Sequence, residues 1–277
     1  MPDPRDPSIR TDRIDPERAA AMHATFALTG SPPGPGDLLP PFWHWCQFWD
    51  IHPPGALGRD GHPRPGLALP DTGLPRRMWA GGRLEWHAPL RIGAPAERRS
   101  RVLSTTRKAG RSGPLAFVTL RHEIFSEDGL AVTEEQDIVY REDPRPGDAT
   151  PQPGPAPRDE TARESHRFDG TALFRYSALT FNGHRIHYDI DYCREVEGYP
   201  GLVVHGPILA QLMIRMAGRM LPRLARFSFR AASPVFHTET FETCARPEGT
   251  GLALWVRGPD GRLAMTATAS PTPGDPA

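Results

Sequence analysis

The chain has 277 residues, and its 33 basic side chains equal its 33 acidic ones, so no net charge draws it to nucleic acid or to an anionic membrane. Its three cysteines are widely spaced, which argues against a disulfide framework and against a CxxC metal pair. A chain of this length can form two small domains. Together with the lack of a signal-like start or a long apolar run, these features predict a cytoplasmic protein with no membrane span.

The first 51 residues predict two helices. Asp15 is a helix N-cap, Pro16 and Glu17 suit the first turn, and the helix is expected to run to about residue 28. Residues 38–51 predict a core helix; the alternative is that their aromatic side chains line a pocket. Five aromatic residues fall within eight positions there: Phe42, Trp43, Trp45, Phe48 and Trp49.

Alternating apolar and polar residues then predict antiparallel strands after a Pro/Gly-rich loop over residues 52–78. Gly81 and Gly82 indicate either a bulge or a close backbone approach, and we favour the bulge. One helical region followed by strands is typical of the α+β class. The predicted strands of this half cover residues 83–86, 98–106, 115–125 and 131–140.

Residues 143–164 are dense in proline, contain no large apolar side chain and predict an extended linker. The predicted domains are therefore residues 1–142 and 165–277. The second domain begins with a chemically rich segment and continues with a mostly apolar helix at about 207–220. Strands are predicted at 224–231, 236–245, 252–256 and 263–269, with a hairpin turn at 259–261. Helix plus strands, twice, indicates a tandem duplication.

The chemically rich segment contains Asn182-Gly-His-Arg-Ile-His-Tyr-Asp189, then Gly198-Tyr-Pro-Gly201, then His205-Gly206-Pro207. Pro207 suits the first helical position, which places Gly206 at the N-cap with its N–H at the positive end of the helix dipole. Such an amide can hold an oxygen that gains negative charge. The alternative is an ordinary start of a helix.

This segment resembles the MaoC-like, (R)-specific enoyl-CoA hydratase family of the hotdog fold. His187-Tyr188-Asp189 matches its His-x-Asp, Gly198–Gly201 its Gly-Phe-Pro-like turn, and His205-Gly206 its His-Gly. The form of the motif is most similar to the mesaconyl-C4-CoA (3-methylfumaryl-CoA) hydratases, a subgroup that resembles the type 2 hydroxyacyl-thioester dehydratases. The resemblance implies a double hotdog, with two antiparallel sheets each wrapped round a central helix. The first half lacks the motif and is expected to help enclose the substrate.

The resemblance also implies catalytic roles. His187 is the matched base that activates water, and the N–H of Gly206 is the matched donor to the thioester oxygen. Asn182 stands where the family has its catalytic Asp, and an amide cannot take a proton. His184 stands where the family has Asn. His184 is our candidate for a second proton-transfer group, the alternative being a structural histidine.

The further candidates for substrate binding could also have purely structural roles. Ser177 and Thr180 could bond water or a substrate carboxylate, or act as turn hydroxyls. Arg230 could meet phosphates or a second carboxylate, or lie on the surface. Tyr199, more a packing side chain than a reactive one, and His205 complete the candidates. We expect no metal and no cofactor other than the CoA of the substrate, and at least a homodimer.

The leading hypothesis is an enoyl-CoA hydratase, or 3-hydroxyacyl-CoA dehydratase, that adds water reversibly to an α,β-unsaturated CoA thioester. Conversion of mesaconyl-C4-CoA to citramalyl-CoA is the specific reaction that the subgroup suggests. A hotdog acyl-CoA thioesterase and a non-catalytic acyl-thioester-binding subunit are the alternatives. The motif fixes neither the acyl group nor the choice between CoA and acyl carrier protein.

Overall fold

The computed structural model describes residues 7–67, 69–110, 113–143 and 153–272. Within them, ten antiparallel strands form one sheet. In chain order these are β1 (Ser8–Arg13), β2 (Arg76–Trp86), β3 (Pro95–Gly110), β4 (Gly113–Ser126), β5 (Gly129–Arg141), β6 (Ala162–His166), β7 (Leu224–Ala231), β8 (Phe241–Glu248), β9 (Gly251–Arg257) and β10 (Leu263–Pro271). The α-helices are α1 (Pro16–Thr25), α2 (Gly170–Leu179) and α3 (Gly206–Met220).

The order of the strands shows the internal duplication. The sheet runs β1-β3-β4-β5-β2-β7-β10-β9-β8-β6, so each strand of the first half has a counterpart at the mirrored place in the second half. β2 and β7 are the innermost strands, and β1 and β6 are the outermost. The α+β class and the double hotdog are confirmed, and the two halves share one continuous sheet.

The seam between the halves requires glycine. Gly81 and Gly82 on β2 pair with Arg230 and Phe229 on β7. A Cβ on Gly81 would lie 2.7 Å from the Phe229 carbonyl oxygen, and one on Gly82 would lie 2.6 Å from the Phe229 ring. The register of β2 against β5 also shifts between Trp79 and Gly81. Both readings of the Gly-Gly pair, bulge and close approach, are therefore confirmed.

Helix α3 is the centre of the second half, as its apolar sequence predicts. Ten of its fifteen residues are buried, and it packs on β7, β8, β9 and β10. The first half differs from the expected plan, because α1 has only ten residues and packs on α2 and on the turn that begins at Trp43. Within the described ranges, a sheet wrapped round one long helix is thus seen in the second half alone.

The prediction of a core helix over residues 38–51 is wrong. The structure has a single 3-10 turn there, Trp43–Cys46. Phe42 and Phe48 take positive φ angles of 76° and 54°, in the left-handed region, so neither can continue an α-helix. The predicted core role of the aromatic side chains holds, since Phe42, Trp43 and Phe48 are at most 3% exposed.

Other boundaries moved for local reasons. α1 ends at Thr25 instead of residue 28, because Ala27 has a φ of 48°. β8 begins at Phe241, after a turn in which Glu239 accepts from the Phe236 N–H, so the predicted strand over 236–245 starts too early. Three elements were not predicted: β1, which precedes α1, β6, which begins inside the predicted linker, and α2, just ahead of the motif.

The linker prediction falls partly outside the described residues, which resume at 153. Residues 153–161 form no helix or strand, and β6 begins at Ala162. The domain boundaries therefore remain a prediction. All three cysteines are free and buried. Among the helices of the described ranges, none combines the length and the apolar character that a membrane span needs.

Candidate functional site

Two segments of the second half are joined side by side to form the site. The N–H of Val203 donates to the carbonyl of Ile186 at 2.9 Å, and the ring Nδ1 of His187 lies 2.7 Å from the Val203 carbonyl oxygen. The apolar run 202–204 is buried, which anchors this pairing in the core. The motif histidine is therefore held against the strand-like stretch that leads directly into α3.

The bond to Val203 fixes which nitrogen of His187 carries the proton. A carbonyl oxygen only accepts, so Nδ1 must be the donor, and the Nε2 lone pair is left free. Nε2 has no hydrogen-bond partner among the described residues. It is also not one of the side-chain nitrogen and oxygen atoms there that are both unpaired and completely buried. Burial lowers the pKa of His187 to about 4, although the bond to Val203 opposes the shift. The ring is thus a neutral base at physiological pH.

His205 forms the floor beneath His187. The two rings stack with their centroids 3.6 Å apart and their planes 15° apart. His205 is fully buried, and its Nε2 lies 2.9 Å from the Ser177 hydroxyl. Burial and the neighbouring His187 lower its pKa well below the usual range. The stack places His187 next to the residue that directly precedes Gly206.

Gly206 opens helix α3, with His205 at the N-cap, so the predicted N-cap position is wrong by one residue. The predicted use of the amide stays a prediction, and the N–H of a first helical residue has no partner inside the helix. Within the described ranges nothing accepts from Gly206 N–H. Gly206 is partly exposed, whereas its neighbours from 201 to 205 and from 207 to 214 are buried. An amide without a hydrogen-bond partner therefore lies at the positive end of α3.

Asn182 and His184 lie on the turn that precedes His187. The Asn182 side-chain oxygen accepts from the His184 backbone N–H at 3.0 Å, so this amide shapes the turn. The His184 ring lies 5.5 Å from the His187 ring, edge to face. Burial, followed by the charges of His187 and Arg77, lowers the pKa of His184 well below the usual range. The position that carries Asp in related motifs thus has a structural contact here.

The first half reaches this turn with Asp60 and His62. Ligand atoms of Asp60, His62 and His184 lie within 4.8 Å of one another, which is a spacing that could hold a metal ion. Trp79, also from the first half, packs against Gly206: a Cβ there would lie 2.8 Å from its Cε3 atom. The first half therefore places side chains against the turn and against Gly206, and its predicted role in enclosing the substrate stays a prediction.

Comparison with known proteins identifies the family. The family model of hydroxyacyl-thioester dehydratase type 2 matches residues 42–237. The chain is 44% identical to a mesaconyl-C(4)-CoA hydratase of Chloroflexus aurantiacus over 94% of both chains. It is 28% identical to a mitochondrial hydroxyacyl-thioester dehydratase type 2 of Schizosaccharomyces pombe, over 79% of this chain and 80% of that protein. The chain belongs to the hydroxyacyl-thioester dehydratase type 2 family. The hydratase/dehydratase class predicted from the motif is thereby confirmed.

Solved structures agree on the fold. A MaoC-like dehydratase of Phytophthora capsici superposes with a TM-score of 0.71 at 13% identity, over 97% of this chain and 96% of that one. HtdX of Mycobacterium tuberculosis gives 0.69 at 18% identity, over 96% and 99%. A third protein, also from M. tuberculosis and described as a double hotdog, gives 0.59 at 16% identity over 95% of both chains.

The structure brings some of the predicted substrate-binding residues together and not others. Ser177 and His205 lie at the site and bond to each other. The Thr180 hydroxyl is used by the helix, since it donates to the Tyr176 carbonyl at 2.8 Å. Tyr199 is partly buried and packs on Phe236. Arg230 is exposed on the face of β7 opposite to the buried Phe229, so it does not join this cluster.

Four of the described residues, in this part of the second half and its seam, carry a buried polar atom without a partner, and of these residues only His205 was predicted from the sequence. The atoms are Tyr176 Oη, Trp79 Nε1, His205 Nδ1 and Gln211 Oε1. Tyr176 packs on His205, Trp79 lies against Gly206, and Gln211 is on α3. A buried polar atom without a protein partner is a place that water or a ligand can satisfy. Gln211 was visible as a polar residue within an apolar helix, whereas Trp79 and Tyr176 had no such signal.

Proposed function

We propose that this hydro-lyase adds water reversibly to an α,β-unsaturated CoA thioester of a small dicarboxylic acid, with mesaconyl-C4-CoA to citramalyl-CoA as its reaction. The observation that carries the mechanism is the free Nε2 of His187, whose ring stacks on His205, the residue that directly precedes Gly206 and its unpaired amide. The named function of the 44%-identical relative supports the choice of substrate. CoA then enters as part of the substrate, and no further cofactor is needed.

In the forward direction His187 acts as the base. Its Nε2 takes a proton from water while the water oxygen bonds to Cβ of the substrate. The electrons of the Cα–Cβ double bond move toward the thioester carbonyl. Since the Val203 carbonyl accepts from Nδ1–H, it holds the ring and stabilises the imidazolium that forms.

The negative charge that arrives on the carbonyl oxygen meets the amide of Gly206. The unpaired N–H and the positive end of α3 stabilise it, and they are in place before the reaction begins. The reaction is completed when a proton is delivered to Cα. Asn182 cannot supply it, so we assign this step to His184, the neighbouring ring. The roles of His187, Gly206 and His184 belong to this proposal.

A substrate panel tests the proposal directly. Native protein is mixed with enoyl-CoA thioesters of four to six carbons, with and without a second carboxylate, and products are followed by mass spectrometry and by free-thiol release. We expect a gain equal to one water on mesaconyl-C4-CoA, and no thiol. Rapid thiol release would instead identify a thioesterase. Saturable binding with no turnover on any thioester would identify a binding subunit.

The assembly of the protein is part of the same proposal. Hotdog relatives pair, so we propose a homodimer or a higher homo-oligomer of double hotdogs. Neither nucleic acid nor membrane is proposed as a partner, since the chain has no net charge. Light scattering of the purified protein gives the oligomeric state.

A further inference from the structure

The loop over residues 58–63 of the first half lies directly on the catalytic turn of the second half. The backbone N–H of Arg185 donates to the Asp60 carbonyl at 2.9 Å. Gly61 and Gly183 touch so closely that a Cβ on Gly61 would lie 1.9 Å from the Gly183 carbonyl oxygen, and one on Gly183 would lie 2.6 Å from the Gly61 oxygen. These contacts fix the position of the loop relative to His184.

The loop presents a carboxylate–imidazole pair. Asp60 Oδ2 lies 3.1 Å from Nδ1 of His62, and Asp60 Oδ1 accepts from the His62 backbone N–H at 3.1 Å. Burial raises the pKa of Asp60, and Arg77, whose Nε donates to Asp60 Oδ2 at 3.2 Å, opposes that shift and favours the ionised carboxylate. An ionised carboxylate accepts only, so His62 donates from Nδ1 and turns Nε2 outward as an acceptor.

The ring that faces this pair is His184. The centroids of the His62 and His184 rings are 4.4 Å apart, and a nitrogen of each ring lies within 4.8 Å of the other. The two rings form no direct hydrogen bond, but one water can bridge such a gap. No hydrogen bond joins the His184 ring to another side chain or carbonyl within the described part of the chain. Unlike His187, His184 therefore has no other group that sets its tautomer.

We propose that Asp60 and His62 position His184 for proton transfer, so that the first half of the duplicated chain completes the catalytic machinery of the second. Through one bridging water, His62 Nε2 accepts from one nitrogen of His184, and the other nitrogen faces the reaction. The Asp60–His62 pair thus supplies the carboxylate that is missing at position 182, where related motifs have Asp and this chain has Asn182. This assignment rests on the proposed function for its kinetic consequence, but its structural consequence, the tautomer of His184, does not.

The protons balance through the two rings. His187 takes one proton from water. His184, as the imidazolium that carries the one extra proton of the site, delivers a proton to Cα from the nitrogen that faces the reaction and keeps the N–H that points toward His62. Only water is therefore added to the substrate. The site is restored when His187 returns a proton to His184 through solvent, across rings whose centroids are 5.5 Å apart. The negative charge of Asp60 stabilises the imidazole chain while it carries that extra proton.

A metal ion is the competing use of the same three residues. The charges around them oppose it, because Asp60 already bonds to Arg77 and to His62, and Arg76 and Arg77 both lie close enough to lower the pKa of His184. A bound cation would have to displace a guanidinium contact. The distances and charges favour a hydrogen-bonded relay.

The first test reads the tautomer of His184 without any substrate. Long-range ¹H–¹⁵N NMR spectra of ¹⁵N-histidine-labelled protein distinguish Nδ1–H from Nε2–H, and His184→Gln assigns the signal. We expect a single tautomer for His184 in the native protein and a mixture of both in His62→Gln. His187 should stay Nδ1–H in both. An unchanged His184 signal in His62→Gln would overturn the proposal, as would stoichiometric zinc or another metal found by elemental analysis.

The second test uses steady-state hydration with a matched control. His62→Gln and Asp60→Asn, which keeps the turn-forming oxygen, should lower kcat about 10- to 100-fold with KM changed less than about twofold. Both should also alter the pH profile of kcat. His87→Gln removes a histidine that bonds only Thr133 at the surface, and it should match the native protein. A rise in KM with a native pH profile would show a merely structural loop. Failure of the native protein and of His87→Gln on every thioester would contradict the proposed function, not the tautomer result.

Discussion

Burial, more than hydrogen bonding, sets the protonation of the site histidines. His187, His184 and His205 lie in contact, and desolvation is the first cause that lowers the pKa of each. Because the three rings lie side by side in a buried place, a positive charge on one of them makes a second positive charge costly. The cluster therefore carries at most one extra proton at a time. His187 is the ring whose free nitrogen is both defined and accessible.

The pH dependence of the reaction should show this directly. A base whose pKa is lowered to about 4 stays unprotonated well below the ordinary histidine value of about 6.5. We therefore expect kcat/KM to remain near its neutral value down to about pH 5 and to fall only as the pH approaches about 4. Initial rates, with recovery on return to neutral pH as the control for unfolding, measure this. Half the activity lost near pH 6.5 would show that His187 titrates normally.

The matched residues of the site could be read from the sequence, but their contacts could not. His187 and Gly206 were found because their motif is local in the chain. Asp60 and His62 lie more than a hundred positions earlier, in a Pro/Gly-rich loop with no periodicity. Only the fold brings them to His184. The structural use of Asn182 was also invisible, because the same amide could equally have faced the substrate.

At the scale of elements, the proposed mechanism places the stabilisation of the thioester oxygen at the first turn of α3. Its first amide, that of Gly206, has no hydrogen-bond partner, and most of the helix is buried against the strands of the second half. The apolar run that predicted this helix was sufficient, since a helix buried on most faces needs no other signal. Residues 38–51 show the converse. Their aromatic residues correctly indicated burial, but the positive φ angles of Phe42 and Phe48, which prevent a helix, could not be predicted from composition.

Two glycines of α3 provide a matched pair of variants. Gly206→Ala places a methyl group 2.8 Å from the Trp79 ring and shifts the amide, so we expect kcat/KM to fall about 10²-fold or more. Gly218→Ala meets no atom within 4 Å on an exposed helical position. It should keep full activity and gain about 0.5–1 kcal/mol of stability. Chemical denaturation and initial rates measure both. Equal activity of the two variants would exclude a role for the Gly206 amide.

At the scale of the molecule, duplication has produced two unequal halves on one sheet. The mirrored strand order was foreseen as a repeat of helix and strands, but the shared seam at β2 and β7 was not, because strand partners across halves leave no local pattern. The second half keeps the long helix and the motif. The first half supplies Trp79, Asp60 and His62 to the motif of its neighbour.

The buried histidines should make the whole fold sensitive to acid. Their folded pKa values lie below the unfolded value of about 6.5, so the unfolded chain binds more protons as the pH falls from there to about 4. Stability is complete above that window and is lost within it, by roughly 1.4 kcal/mol per pH unit for each proton. Three of them have values of about 4: His122, His166 and His187.

Urea denaturation at about pH 7 and about pH 5 measures this loss. We expect a markedly lower midpoint at the acid pH. By calorimetry in two buffers we expect an uptake of roughly five protons on unfolding, because His184 and His205 also have lowered pKa values. Equal midpoints at the two pH values would mean that these rings are hydrated in solution.

The most direct measurement is the hydration rate of mesaconyl-C4-CoA by His187→Gln beside the native protein, with thermal melting of both as the control for folding. Removal of the base should lower kcat/KM by about 10²- to 10⁴-fold while the variant stays folded. A folded variant that adds water as fast as the native protein would contradict the assignment of His187 as the base.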